Sequence, residues 1–195
     1  MINSEKFNKA IQLFDKANSS DPNKEIFEGK EYPKELLYAI RMTERLNKFA
    51  PNSSESLKLT VRCQHICRWE IPRDSYEMNR VGYLNWRKDL KDFHAKKATS
   101  ILKEVGYDDE TIEQVGFLLL KKQLKKNTET QTLEDVVCLV FLEFYLLKFS
   151  EKYTEEKLMD IIQKTWKKMS DEGHKAALEL SLHQKVLALV TKALG

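Results

Sequence analysis

Apolar residues recur every three or four positions along almost the whole chain, which is the period of an amphipathic helix. Alternating apolar and polar runs are few, so the pattern predicts no strand. Proline and glycine separate the periodic segments, with Pro33 in the first turn of one helix and Gly106 at the end of another. The predicted helices cover residues 5–18, 33–49, 54–71, 83–105, 108–119, 132–149, 155–169 and 182–194.

These segments predict an all-α fold built as a single helical bundle. No repeat with a period of about 20 to 50 residues is visible, which argues against a solenoid. A chain of 195 residues can bury a core without disulfides or a structural metal. We expect one domain, with residues 1–30 as an N-terminal helical extension, 33–150 as the core, and 151–195 as helices that pack on that core.

Charge is balanced overall and concentrated locally. The net charge is +3 with 32% charged residues, so composition does not favour nucleic acid as the partner. All seven arginines nevertheless lie between positions 41 and 87, although lysine is spread throughout the chain. Residues 62–97 hold nine Lys or Arg and five Asp or Glu, a local excess of four positive charges (nine minus five). Any anionic ligand is therefore expected near this segment.

Three cysteines, an odd number, and the lack of an apolar segment behind Met1 suit a reducing compartment, so we expect a cytoplasmic location. The longest apolar run covers residues 136–147, and Glu143 interrupts it. That run is too short to span a bilayer, so no membrane partner is expected. It indicates a buried helix, on which Glu143 is either an acidic partner for an arginine or an edge residue.

The arginine cluster predicts an anion-binding site, because guanidinium grips phosphate or carboxylate through a planar fork that lysine lacks. Residues 76–88 interleave aromatic and basic side chains, a pattern typical of platforms for nucleobases, and residues 164–168 repeat it. The alternative is that the arginines form helix-joining salt bridges and the aromatics pack between helices. The predicted ligand-binding residues are Arg68, Trp69, Glu70, Arg73, Arg80, Tyr83, Trp86, Arg87, Lys164 and Lys168.

Two histidines are predicted to face the core. His65 lies four residues after Val61 and four before Trp69, and His94 lies four residues after Leu90. On helices these spacings place both rings on apolar faces, so they can meet. The alternative is two core histidines, each held by a carbonyl or a carboxylate.

Asp135 is the third candidate, because it begins a very apolar helix and a carboxylate there needs a partner. With His65 and His94 it would form a site for Mn, Fe, Zn or Ni, completed by water or a fourth ligand. Such a divalent metal would polarise a phosphoryl oxygen and lower the pKa of bound water, making the three residues catalytic. The alternative is a variant capping box, with Thr132 as N-cap and Asp135 at the third helical position.

Several motifs resemble the domain-of-unknown-function 4202 family, which is uncharacterised. The resemblance covers the chain from about Pro33 onward. Its motifs are QHICRWEIPR at 64–73, GYLNWR at 82–87, FHA at 93–95, LEDVVCLVFLE at 133–143 and KTWKKMS at 164–170.

The order of these motifs is also similar to that of the HD-domain metal-dependent phosphohydrolases. This resemblance implies an HD-like helical core with His65, His94 and Asp135 around one or two metals. Two ligands of that family have no counterpart: Ile66 stands where an aspartate is expected, and residues 38–42 lack the first histidine.

Two functions follow as hypotheses. The first is a divergent HD-like phosphohydrolase that acts on a small phosphorylated or nucleotide substrate in an arginine-rich cleft. The second is a non-catalytic helical module that binds an anionic metabolite, a nucleotide or RNA.

Overall fold

The computed structural model describes residues 4–195, and most of them are helical, which confirms the all-α prediction. A π-helical segment, Phe141–Tyr145, joins the sixth helix to the seventh. Within the described range, no helix is long and apolar enough to cross a membrane. The helices are α1 (Ser4–Ser19), α2 (Lys34–Phe49), α3 (Glu55–Cys63), α4 (Arg80–Val105), α5 (Asp109–Leu119), α6 (Thr128–Val140), α7 (Leu146–Ser150), α8 (Glu155–Trp166), α9 (Asp171–Leu178) and α10 (Gln184–Leu194).

Local polar residues set where the helices begin. Ser54, Asn79 and Asp108 each accept a hydrogen bond from a backbone N–H of the first turn that follows, at α3, α4 and α5. These side chains satisfy donors that a helix leaves unpaired at its start. Gly106 ends α4 with a φ of 87°, a left-handed conformation that glycine adopts without strain. The sequence offers Ser53 or Ser54 as the cap of the third helix, and the structure selects Ser54; the predicted start near Asp108 and the predicted end at Gly106 are confirmed.

A short antiparallel hairpin corrects the prediction that the chain has no strand. It consists of β1 (Lys24–Phe27) and β2 (Lys30–Pro33), joined at Glu28 and Gly29, which both have positive φ. A two-residue turn with that backbone matches the twist of paired strands. Each strand has only four residues, too few to establish an alternating pattern in the sequence.

Buried side chains form three groups. The first lies among α1, α3, α4 and α5, and the second among α2, α3, α5 and α6. The third joins α8, α9 and α10 to α6, α7 and the π-helical segment between them. Phe14 of α1 and Met42 of α2 are fully buried, so the N-terminal helix is part of the packed structure.

The third helix is shorter than predicted. It ends at Cys63, and the chain continues through a turn into two short 3₁₀ segments, Arg68–Glu70 and Arg73–Ser75. Cys67 has a left-handed backbone with φ 52° and ψ 33°, which an α-helix cannot contain. Its N–H is bound by the side-chain oxygen of Asn18, 2.9 Å away. His65 and Arg68 therefore lie in an irregular segment rather than on a helix.

Candidate anion-binding site

His65 is held between an aromatic ring, a carboxylate and a guanidinium. Its ring stacks on Tyr38 with centroids 4.1 Å apart, and its Nδ1 lies 3.4 Å from Oε2 of Glu35. Its Nε2 lies 3.0 Å from Nη1 of Arg68. Since arginine only donates, Nε2 is the acceptor and the ring proton belongs on Nδ1, facing Glu35. The surroundings thus select one tautomer of His65.

His94 of α4 lies beside His65, with ring centroids 5.7 Å apart. It is 3% exposed, and its buried Nε2 has no hydrogen-bond partner among the described residues. Burial, helped by His65 and Arg68, lowers the pKa of His94 to about 2. Burial also holds the pKa of His65 well below its usual value, with Arg68 and Lys121 adding to the effect. Both rings are neutral at pH 7.

Asp135 does not join the histidines. Its Oδ1 accepts from the N–H of Ser170 at 2.8 Å and from Nε2 of Gln131 at 3.0 Å, and its Oδ2 accepts from Oγ of Ser170 at 2.6 Å. Asp135 therefore fixes the start of α9 on α6. The predicted capping box with Thr132 is wrong, because α6 begins at Thr128 behind an N-cap at Asn127.

The donors that the HD-domain resemblance implies are not assembled into a metal site. No group of three His, Cys, Asp or Glu side chains within residues 4–195 is arranged to hold a metal ion. The oxygens of Asp135 already bind Ser170, and both nitrogens of His65 face other partners. Ile66, where an aspartate was expected, is fully buried in the core. These residues do not fit the implied metal.

The seven arginines separate into two kinds. Three form ion pairs with acids of other elements, and Arg73 donates to backbone carbonyls of residues 76, 77 and 79. Arg68, Arg80 and Arg87 form no ion pair with a described carboxylate. The salt-bridge alternative thus holds for some arginines and not for others. The three ion pairs are Arg41–Glu25, Arg45–Glu143 and Arg62–Asp15.

Arg68 is half-buried between two rings. Its guanidinium carbon lies 4.8 Å from the centre of the Trp86 ring, and Nη1 donates to His65. Burial lowers the pKa of Arg68, and the nearby charge of Glu35 opposes that shift without reaching ion-pair distance. A guanidinium shielded from water without a paired carboxylate is unfavourable unless an anion binds it. Arg68 is therefore a candidate for binding an anion.

Further cations lie within electrostatic range of Arg68 or His65, and we call the whole group the cationic cleft, after the arginine-rich cleft predicted from the sequence. The charges of Arg87 and Lys121 reach His65 and lower its pKa. Burial lowers the pKa of Lys91, and Arg87 and Lys121 contribute to that shift. Sequence reasoning missed Lys91 and Lys121, although Lys91 lies one helical turn after Arg87. The cleft consists of the cations Arg68, Arg87, Lys91 and Lys121 with the acids Glu35 and Glu134.

Glu134 is one of the two buried acids of the cationic cleft. It is 5% exposed, pairs with Lys121, and lies 3.8 Å from Nζ of Lys168. Burial raises its pKa, but Lys121, Lys168 and Arg87 more than reverse this, so the pKa of Glu134 lies below its usual value. Lys121 is therefore positioned by Glu134, while Lys91 and Arg87 retain charges that no carboxylate pairs with in the described chain.

Comparison with known protein families assigns the chain to one of them. The model of the family described as "Domain of unknown function (DUF4202)" matches residues 8–190. The chain belongs to this family. The DUF4202 match includes His65, His94 and every member of the cationic cleft. No curated protein and no solved structure gives a match.

Three other predicted ligand residues of this DUF4202 chain have structural contacts. Trp69 packs against the core, and Glu70 pairs with Lys97. The buried indole of Trp86 donates from Nε1 to the carbonyl of Ile71, 2.9 Å away. The Trp86 ring therefore packs against the Arg68 guanidinium, and because it is buried it is not an open platform for a nucleobase.

A separate surface groove contains the remaining predicted residues. Arg80 and Tyr83 of α4 line it together with Lys164 of α8, so the late basic segment reaches α4 at a groove that does not include Arg68. Its volume is about 480 Å³. The lining residues are Arg80, Tyr83, Leu84, Lys157 and Lys164.

The buried histidines predict a pH-dependent stability. Below a pH of about 6.5 the histidines of the unfolded chain become protonated, whereas His94 of the folded protein stays neutral. The free energy of unfolding therefore decreases as the pH is lowered. The expected fall is about 1.4 kcal/mol per pH unit for each of His65 and His94. Burial raises the pKa of Glu35, which stabilises the folded state at low pH and offsets part of the fall. Denaturant titrations between pH 7 and pH 4 measure the slope.

His94→Gln should reduce that slope by about 1.4 kcal/mol per pH unit. His183→Gln is the control, because His183 is exposed at the start of α10. An unchanged slope in His94→Gln would contradict the burial of a neutral ring.

Proposed function

We propose that this protein binds a small phosphorylated ligand in the cationic cleft, with Arg68 as the anchor. One observation carries the proposal: the half-buried guanidinium of Arg68 is oriented by His65 and Trp86 and has no ion pair with a described carboxylate. Arginine has five N–H donors, of which His65 uses one, so a phosphate can still be held by two parallel hydrogen bonds.

The surrounding charges support a phosphate more than a carboxylate. Arg87 and Lys91 add two cations on one face of α4, and Lys121 adds a third beside Glu134. A phosphate monoester carries up to two negative charges and three acceptor oxygens, which suits several converging cations. A carboxylate ligand would leave more of this charge uncompensated.

A thermal-shift titration tests the proposal with phosphate, pyrophosphate and nucleotides, each with and without EDTA. Ligand at about 100 times its Kd stabilises by about 2.7 kcal/mol, a shift of roughly 5–10 °C for a chain of this size. Arg68→Lys should weaken binding at least about tenfold, because the fork is lost. Arg45→Lys, in a structural ion pair with Glu143, is the matched control.

Stabilisation that survives EDTA and disappears in Arg68→Lys supports the proposal. Stabilisation that requires added Mn²⁺ or Zn²⁺, or that is equal in Arg68→Lys and Arg45→Lys, contradicts it. No stabilisation by any phosphorylated ligand also contradicts it.

A phosphohydrolase is the second candidate function, favoured by the pair formed by Glu35 and His65 beside the anchor. In this reaction the Arg68 guanidinium moves from Nε2 of His65 to the phosphoryl oxygens, and the freed Nε2 of neutral His65 accepts a proton from the attacking water and returns it to the leaving oxygen. Glu35 holds the Nδ1 proton and stabilises the charged ring in between, while Arg68 stabilises the phosphoryl oxygens. Asp135 takes no part.

Turnover of a phosphoester panel in the presence of EDTA distinguishes the two functions. A hydrolase requires turnover that falls at least about a hundredfold in His65→Gln while phosphate binding is retained. If the wild-type protein binds phosphate but cleaves no phosphoester, the binding function stands and the hydrolase function is excluded.

A further inference from the structure

The surface groove and the cationic cleft are connected through α4. Arg80 and Arg87 are seven residues apart, which on an α-helix places them on one face. Tyr83 lines the groove, and its hydroxyl accepts from Nη1 of Arg87 at 3.1 Å. The charge of Arg87 in turn reaches Arg68 and His65 in the cleft. Arg80 and Arg87 thus place positive charge along α4 from the groove towards Arg68.

The groove carries its own excess of positive charge. Lys157 and Lys164 share a single carboxylate, that of Asp160, at 3.4 Å and 2.7 Å. Arg80 forms no ion pair with a described residue. Three cations and one acid leave two positive charges, enough for a second phosphate. Tyr83 and Leu84 stay 43% and 55% exposed beside them, which gives the groove an apolar surface.

We infer that the ligand spans the cleft and the groove, with two phosphate groups that bind the cations at the two ends and an apolar or aromatic part that lies on Tyr83 and Leu84. This inference rests on the proposed function. At 1.5 Å per residue, Arg80 and Arg87 lie about 10 Å apart along the helix. Pyrophosphate, whose phosphorus atoms share one oxygen, is too short to reach both ends. A 5′-phosphorylated oligonucleotide of two or three nucleotides has the required length and bases that can stack.

Calorimetric titration with 5′-phosphorylated oligonucleotides one to four nucleotides long tests the inference, with pyrophosphate as the short probe. Affinity should rise at least about tenfold from one nucleotide to two or three and then level off, since only two phosphates find cations. The Lys157→Ala/Lys164→Ala variant should lose that rise and bind pyrophosphate as the wild type does. Lys175→Ala/Lys185→Ala, which removes two exposed lysines elsewhere, is the control.

Equal affinity for one and three nucleotides overturns the inference and leaves the proposed function intact. So does a groove variant that weakens pyrophosphate and oligonucleotides by the same factor, because that outcome indicates general charge attraction. If neither pyrophosphate nor any oligonucleotide binds, or if Arg68→Lys leaves all binding unchanged, the proposed function fails and the inference fails with it.

Discussion

Asp135→Ala is expected to lower the free energy of unfolding by about 3–5 kcal/mol and to leave phosphate binding intact. The carboxylate is 2% exposed and accepts three hydrogen bonds, two of them from Ser170 at the start of α9. Its removal leaves the half-buried N–H and hydroxyl of Ser170 without their carboxylate partner and removes the hydrogen bonds that join α9 to α6. Denaturant unfolding and phosphate titration on the same samples measure both effects.

Ser170→Ala is the matched control, because it removes one of these hydrogen bonds and keeps the carboxylate with its backbone partner. It should lower the free energy of unfolding by only about 1–2 kcal/mol. If Asp135→Ala is as stable as the wild type and loses ligand or metal binding, the sequence-based assignment of Asp135 as a metal ligand is right and the structural role is wrong.

Glu25→Ala is expected to destabilise the protein by about 3–5 kcal/mol, since it leaves the Arg41 guanidinium buried and unpaired. Arg41 Nη1 lies 2.7 Å from Glu25 Oε1, and both side chains are less than a tenth exposed. The guanidinium also packs against the rings of Phe27 and Phe144, at 4.7 Å and 4.5 Å from their centres. This ion pair fastens the hairpin to α2, whose first turn carries Glu35.

The double variant Glu25→Ala/Arg41→Met should recover most of that loss, because an apolar side chain replaces the stranded charge. Glu31→Ala, on the exposed side of β2, should change stability by less than about 0.5 kcal/mol. Equal stabilities of Glu25→Ala and Glu31→Ala in denaturant unfolding would contradict the buried ion pair.

Helical periodicity was sufficient to predict the longer helices α1, α2, α4, α5, α8 and α10, because each buries one face over about three or more turns. It missed α9, which has only eight residues. The same signal failed where short elements depend on backbone geometry. The hairpin has four-residue strands, and its turn depends on positive φ at Glu28 and Gly29. The early end of α3 depends on left-handed Cys67, whose N–H is bound by the distant Asn18. Neither the turn conformation nor the hydrogen bond to Asn18 can be predicted from the residues nearby in the sequence.

The site was predicted in part. The sequence indicated that His65 and His94 face inward, and the two rings do meet, although His65 is not on a helix. Arginine clustering drew attention to the segment that contains Arg68, yet residue type could not separate Arg41, which is paired with Glu25, from Arg68, which has no ion pair with a described carboxylate. That difference depends on which acids the fold brings near. Glu35 and Lys121 come from α2 and from the chain just after α5, too far in sequence to be linked to His65 by spacing.

A crystal structure of the protein with tungstate, a heavy-atom analogue of phosphate, tests the anion-binding cleft most directly. We predict one well-occupied tungstate within hydrogen-bond distance of the Arg68 guanidinium, with Arg87 or Lys91 as a second contact, and no such density in crystals of Arg68→Lys. Tungstate that binds only elsewhere, or that stays at this position in Arg68→Lys, would contradict Arg68 as the anchor.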